Sequence, residues 1–171
     1  MSLTDLMSMA KPDSGAREKV LVKIGKREFA DCFQCTKCTS GCTAFKLLEL
    51  KPHEVMRFVN LGFTRELISS EISWTCVTCL KCMERCPQRS SPYYVIMALR
   101  NLTVEQGGKV PEAYLSAISQ ILETGLIQTV QKVTTKNMET LDREKLGLPP
   151  IRYPAEAFKA AFLKALVEHE V

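Results

Sequence analysis

Two runs of four cysteines constrain this chain more than any other feature. Cys32, Cys35, Cys38 and Cys42 are spaced C-x2-C-x2-C-x3-C, and Cys76, Cys79, Cys82 and Cys86 repeat that spacing, the second run alone ending in Cys86-Pro87. Together they account for all eight cysteines of the 171 residues. Two residues between successive cysteines let a loop wrap three thiols around one compact centre, but the chain must then leave. The fourth thiol, one helical turn past the third, is carried away from that centre and towards its neighbour. Structural cysteines scattered through a core would obey no such rule. Structural zinc usually takes two C-x2-C-like pairs separated by a longer loop, not three cysteines in succession plus a fourth. Disulfides need an oxidising compartment, and the opening MSLTDLMSMAKPDSG contains no apolar run of signal-peptide type.

The spacing is similar to the ligand pattern of two-cluster bacterial ferredoxins, in which three close thiolates hold one 4Fe-4S cubane and the fourth reaches across to the other. It predicts two 4Fe-4S clusters: one on Cys32, Cys35, Cys38 and Cys86, the other on Cys76, Cys79, Cys82 and Cys42. A cubane whose irons are all held by thiolates has no open site for substrate, so its use is to take and give single electrons. The chain contains no G-x-G-x-x-G fingerprint, flavin site or His-supported nucleophile, and no catalytic residue is expected. His53 and His169 read as surface residues, and Trp74 and Met83 as packing. Lys37, Lys81 and Arg85, inside the motifs, read as exposed, with offsetting of cluster charge as the competing role.

The net charge of +4 is mild and its lysines and arginines are dispersed, which argues against nucleic-acid binding. No apolar segment is long enough to cross a bilayer, so direct membrane insertion is not expected. Reduced thiols and oxygen-sensitive cofactors predict a cytoplasmic protein.

Along the chain, residues 1–27 read as an extended N-terminal arm, within which the β-branched run beginning at Lys19 predicts a strand or extended segment. Residues 28–127 read as the two-cluster domain. Its spacer, Thr43 to Thr75, predicts one helix from Pro52, with Val55, Met56 and Val59 on one side, to a stop at Gly62. A second segment follows, capped by Thr64 and carrying Leu67, Ile68 and Ile72. After the second motif, Ser91-Pro92 starts a helix with Ser91 as cap, and another helix runs from Pro111 to about Thr124, both packing on the cluster core. Residues 128–171 read as a polar linker, extended through Gly147 to Pro150, and a C-terminal helix with Phe158, Ala161, Phe162, Ala165 and Leu166 in one stripe. That helix is expected to dock on its own core or on a partner.

Two complete motifs, a helical spacer, Cys-Pro closing only the second run and a helical C-terminal extension resemble the C subunit of heterodisulfide reductase. The resemblance covers about Glu28 to Ile127. It implies a mainly α architecture, the α-helical ferredoxin-like fold. It also implies a cytoplasmic complex of methanogenesis, in which the C subunit passes electrons from the A subunit, with FAD and iron-sulfur centres, to the catalytic B subunit. The B subunit reduces the CoM-S-S-CoB heterodisulfide, and a hydrogenase or formate dehydrogenase is a further implied associate. No two cysteines here are adjacent, so the Cys-Cys-Gly signature of the catalytic partner is missing and a non-catalytic, electron-carrying role is implied. Two other readings compete: the iron-sulfur subunit of a quinone-linked dehydrogenase of succinate, glycerol phosphate or glycolate type, and a zinc-stabilised interaction module.

Overall fold

The computed structural model describes residues 10–25 and 28–167. The first nine residues of the expected arm and His169 lie outside them. The chain divides into two compact units, Met1–Lys109 and Val110–Val171.

In the first unit, helix α1 (Ser14–Ile24) occupies the stretch where a strand is expected. Alternation of Val20, Val22 and Ile24 suggests one strand face, yet Val20 is fully buried while Val22 is 72% exposed. The face that packs inward is Ala16, Val20 and Ile24, four residues apart, which is helical spacing. Local signals at both ends support it. The Asp13 carboxylate accepts from the N–H groups of Gly15 (2.8 Å) and Ala16 (3.1 Å), and Gly25 ends the helix with φ +63°.

Helix α2 (Lys37–Ser40) lies in the first motif. Helix α3 (Pro52–Leu61) begins as expected, with proline at its first turn and the Glu54 carboxylate accepting from the N–H of Lys51 at 2.6 Å. It buries Val55, Met56 and Val59 and stops at Gly62. A Cβ at Gly62 would stand 3.0 Å from the backbone nitrogen of Asp13, at φ +90°, so glycine is required twice over. Helix α4 (Thr64–Ser69) buries Leu67 and Ile68, but Thr64 is its first residue rather than its cap, and it is fully buried. Helix α5 (Lys81–Glu84) lies in the second motif.

Helix α6 (Pro92–Glu105) is the axle of this unit, buried along Val95, Ile96, Leu99 and Leu102, with α1, α3 and α4 packed around it. Ser91 stands at its cap position without a capping side-chain bond and is buried instead. The resulting core joins Val20, Met56, Val59, Leu67, Val95 and Leu99, and Cys32 and Cys76, the first cysteine of each run, pack against it.

The second unit holds α7 (Glu112–Thr124), a two-residue antiparallel pair β1 (Val133–Thr134) and β2 (Thr140–Leu141), and α8 (Glu156–Val167). The segment read as linker thus contains a minimal hairpin, in register Val133 to Leu141. Strands of two residues are too short for alternation to reveal. Residues 152–154 run past Gly125, where the carbonyl of Arg152 lies 3.5 Å from a Cβ position. Among the described residues the architecture is mainly α, with this single two-stranded sheet.

Candidate metal centre

The two motifs fold alike. Each is entered through a 3-10 turn, Glu28–Asp31 before Cys32 and Ile72–Thr75 before Cys76. In each, the second cysteine is flanked by two non-glycine residues in the left-handed region: Gln34 (φ 56°) and Thr36 (φ 60°) around Cys35, Thr78 (φ 51°) and Leu80 (φ 63°) around Cys79. Left-handed backbone costs such residues about 1 kcal/mol each or more. The strain curls each loop tightly around its own thiols. A four-residue helix, α2 or α5, then carries the third cysteine. The same bond closes both turns, Thr39 N–H to Thr36 C=O at 2.9 Å and Met83 N–H to Leu80 C=O at 2.8 Å.

Helices α2 and α5 pack on each other. The residues just before the two fourth cysteines, Gly41 and Arg85, meet there: a Cβ on Gly41 would fall 2.6 Å from Cδ and Nε of Arg85. The chain paths cross at this point, and each fourth cysteine arrives beside the other motif. One cavity is lined by Cys32, Cys35, Cys38 and Cys86, the other by Cys76, Cys79, Cys82 and Cys42. They enclose about 370 and about 530 Å³ of non-atom space, part of it continuous with solvent. All eight thiols are free. Four thiols lining one space are the donor set that a cube of iron and sulfide calls for.

The electrostatics of the thiols fit the same group. Cys38 is pushed up by burial and by the neighbouring Cys32; Cys42 by burial and by Cys79 and Cys76. Cys82 is pushed up to about 11 by burial first, against the N–H of Tyr93, and then by Cys76, Cys38 and Cys79. Only Cys79, which is exposed, is lowered, chiefly by the Thr43 hydroxyl donating to its Sγ at 3.3 Å and by the backbone N–H of Lys81. Buried thiols are driven to the thiolate form when a cation is supplied among them, as iron does. Because α2, which carries Cys38, packs on α5, which carries Cys82, the two sites adjoin.

Lys37, Lys81 and Arg85 are exposed, as expected, and Trp74 and Met83 are half-buried. Trp74 does more than fill space: the Arg100 guanidinium lies 5.2 Å from its ring centroid. Four contributors go unread in the sequence. His53, expected at the surface, is half-buried in the wall of the first cavity with Nδ1 2.7 Å from Thr39 Oγ1. Gln34 Nε2 donates to Cys32 Sγ at 3.3 Å, as Thr43 does to Cys79. Arg100, 5% exposed, donates to the carbonyls of Ser73, Trp74 and Cys76 at 3.0, 3.3 and 2.6 Å. Gln34 sits inside a motif and is the most readable of these. A helical arginine twenty-four positions from its cysteine leaves no local signal.

A family model described as a 4Fe-4S dicluster domain matches residues 31–91. The chain is 33% identical over 120 residues to the C subunit of the H(2):CoB-CoM heterodisulfide,ferredoxin reductase of Methanothermobacter thermautotrophicus, covering 70% of this chain and 63% of that protein. It is 32% identical over 109 residues to the C subunit of the Ferredoxin:CoB-CoM heterodisulfide reductase of Methanosarcina acetivorans, covering 63% and 44%. To the protein of the same description from Methanosarcina mazei it is 28% identical over 150 residues, covering 86% and 89%. The chain thus spans less than two thirds of the length of the first two relatives. It carries a 4Fe-4S dicluster domain for two 4Fe-4S clusters, in a mainly α, ferredoxin-like architecture, and is related to the heterodisulfide reductase C subunits.

Proposed function

We propose that this chain is the electron-transferring subunit of a heterodisulfide reductase complex, with Cys32, Cys35, Cys38 and Cys86 holding one cluster and Cys76, Cys79, Cys82 and Cys42 the other. When bound, the two clusters supply one-electron reduction and oxidation. The observation that carries the reading is the exchange of the fourth cysteines between two adjoining cavities, an arrangement that suits two redox centres side by side. The chain's residues do the rest. Met56 and His53 wall the first cavity, and Leu50, Ile72 and Ile96 the second, keeping water from the inner faces. The exposed second cysteines, Cys35 and Cys79, turn one edge of each cavity outward, where partners come within electron-transfer reach.

In this reading, electrons enter from a flavin-containing A subunit and leave to a B subunit, which reduces the CoM-S-S-CoB heterodisulfide. The chain itself is non-catalytic. The names of the relatives support the assignment to such a complex. Eight free thiols support a reducing, cytoplasmic setting, and among the described residues no helix is long and apolar enough to cross a membrane. The second unit, with Tyr153 75% and Leu163 50% exposed, is the natural docking extension.

Anaerobic purification from the source organism tests all of this. The expected result is about eight iron and eight sulfide per chain, a brown colour, and co-purifying subunits of the A and B type. A colourless zinc protein, or association with a quinone-reducing dehydrogenase, would refute it.

A further inference from the structure

The two motifs are alike in backbone but not in surroundings. Lys37 and Lys81 occupy equivalent positions, one residue before the third cysteine, so their charges favour neither site. Gln34 and Thr43 each give one hydrogen bond to a cysteine sulfur, one per cavity, and these too cancel to first order. Arg85 lies where the motifs cross and is shared.

The buried charge is one-sided. Arg100 projects from α6 into the turn that delivers Cys76, its Nη2 2.6 Å from that residue's own carbonyl oxygen. It is 5% exposed, so its charge is poorly screened by water. The Trp74 ring lies against the guanidinium, its centroid 5.2 Å away. Lys51, donating to the carbonyls of Phe45 and Leu48, adds a second cation on the same side, since Leu48 lines that cavity. The turn that delivers Cys32 has the opposite sign of neighbour: the exposed Asp31 precedes it, where Thr75 precedes Cys76.

A cubane held by four thiolates is already an anion, and accepting one electron makes it more negative with no bond formed or broken. A fixed buried cation beside it favours that reduced form. We propose that Arg100 is a positioning and electrostatic residue that makes the cavity of Cys76, Cys79, Cys82 and Cys42 the higher-potential, electron-receiving member of the pair. Electrons therefore arrive at the cavity of Cys32, Cys35, Cys38 and Cys86 and depart from the Cys76 side. This direction rests on the cluster assignment of the proposed function.

The test is a potentiometric titration of the full-length, anaerobically reconstituted protein, monitored by electron paramagnetic resonance. Iron and sulfide content, with two reducible centres in the wild type, checks the assignment independently of any variant. Thr43→Val, an exposed change, removes the hydrogen bond to Cys79 and identifies the Cys76-side centre as the one whose midpoint falls. That centre is expected to be the higher of the two in the wild type, which requires no Arg100 variant. Arg100→Gln should lower its midpoint selectively and narrow or invert the gap between centres, and Arg100→Lys should recover most of the shift. If the centre marked by Thr43→Val is the lower one, or if Arg100→Gln retains both clusters and moves neither midpoint, the proposal is wrong.

Discussion

Met56 belongs to two structures at once, the hydrophobic core and the wall of the first cavity, and replacing it by alanine separates their contributions. The side chain is completely buried and packs with Val20, Val59 and Leu99. Large-to-small changes of this kind cost about 2–5 kcal/mol, because the lost transfer energy is joined by a cavity the neighbours only partly fill. At roughly 4–8 °C per kcal/mol for a domain of about 100 residues, an intermediate loss of about 3 kcal/mol lowers the melting midpoint by about 10–25 °C. Leu99→Ala is the control: Leu99 is 1% exposed in the same core but lines neither cavity, so its global cost should be similar. The assay pairs thermal melting by circular dichroism, under nitrogen, with the rate at which each centre bleaches in air. Both variants should melt early. Only Met56→Ala should bleach the Cys32-side centre selectively, through water and oxygen admitted at its inner face. Equal bleaching of both centres in both variants would refute the idea that this side chain shields one site.

Cys86→Ser should first disturb the centre held by Cys32, Cys35 and Cys38, and Cys42→Ser the other, read by resonance spectra of each variant; damage confined to the cluster of the mutated run would exclude the crossing. The Thr43 hydroxyl bond, worth about 1 kcal/mol at most beside an exposed sulfur, corresponds to a fall of about 10–40 mV in one midpoint when Thr43→Val removes it, at about 59 mV per tenfold for one electron. Gln34→Leu should produce a comparable fall in the opposite centre, and a common shift of both would show that the two donors are not divided between the cavities. In iron-free, reduced protein, alkylation followed by mass spectrometry should label Cys79 early and Cys82 last at neutral pH. The thiolate is the nucleophile, and Cys82, pushed up to about 11, is almost wholly protonated there. Raising the pH towards about 10 should accelerate Cys82 most, and early labelling of Cys82 at neutral pH would contradict the burial described for it.

The two-cluster cofactor is readable in the chain because it rests on cysteine spacing, and the helices at Pro52 and Pro92 because proline and glycine punctuate them. The N-terminal helix escapes such a reading for a definable reason. Alternating Val20, Val22 and Ile24 satisfy a two-residue period, while the decisive information, that only Val20 and Ile24 join the core, is tertiary. Asp13 and Gly25 are visible cap signals bracketing that run, and they outweigh a three-residue alternation. His53 illustrates the other kind of loss. Its position beside Pro52 announces a helix start, but not that the start abuts the loop of Cys35, since the contact to Thr39 spans fourteen residues. Arg100 is further still: on an apolar helix face it looks like an interruption, and only the fold brings it against the carbonyls that precede and include Cys76.

The crossing at Gly41 and Arg85 also bears on why two motifs are needed at all. A run of this spacing cannot complete a four-thiolate site alone, because its fourth cysteine is turned away by the helix that carries the third. Each cavity takes its lining from both runs, so the packing of α2 on α5 is part of both. The pairing of Gly41 with Arg85 also departs from strict symmetry. Gly41 and Arg85 are equivalent in the two runs and meet at one place, where a Cβ on Gly41 would clash with the arginine. A side chain at Gly41 would require the flexible end of Arg85 to move aside. Once that equivalence is broken, the surroundings are free to diverge, and they do: a histidine and an aspartate attend the first site, a buried arginine the second. Duplicated cysteine runs with unlike neighbours are the asymmetry on which the proposed direction of transfer rests, since two copies in identical surroundings would offer none.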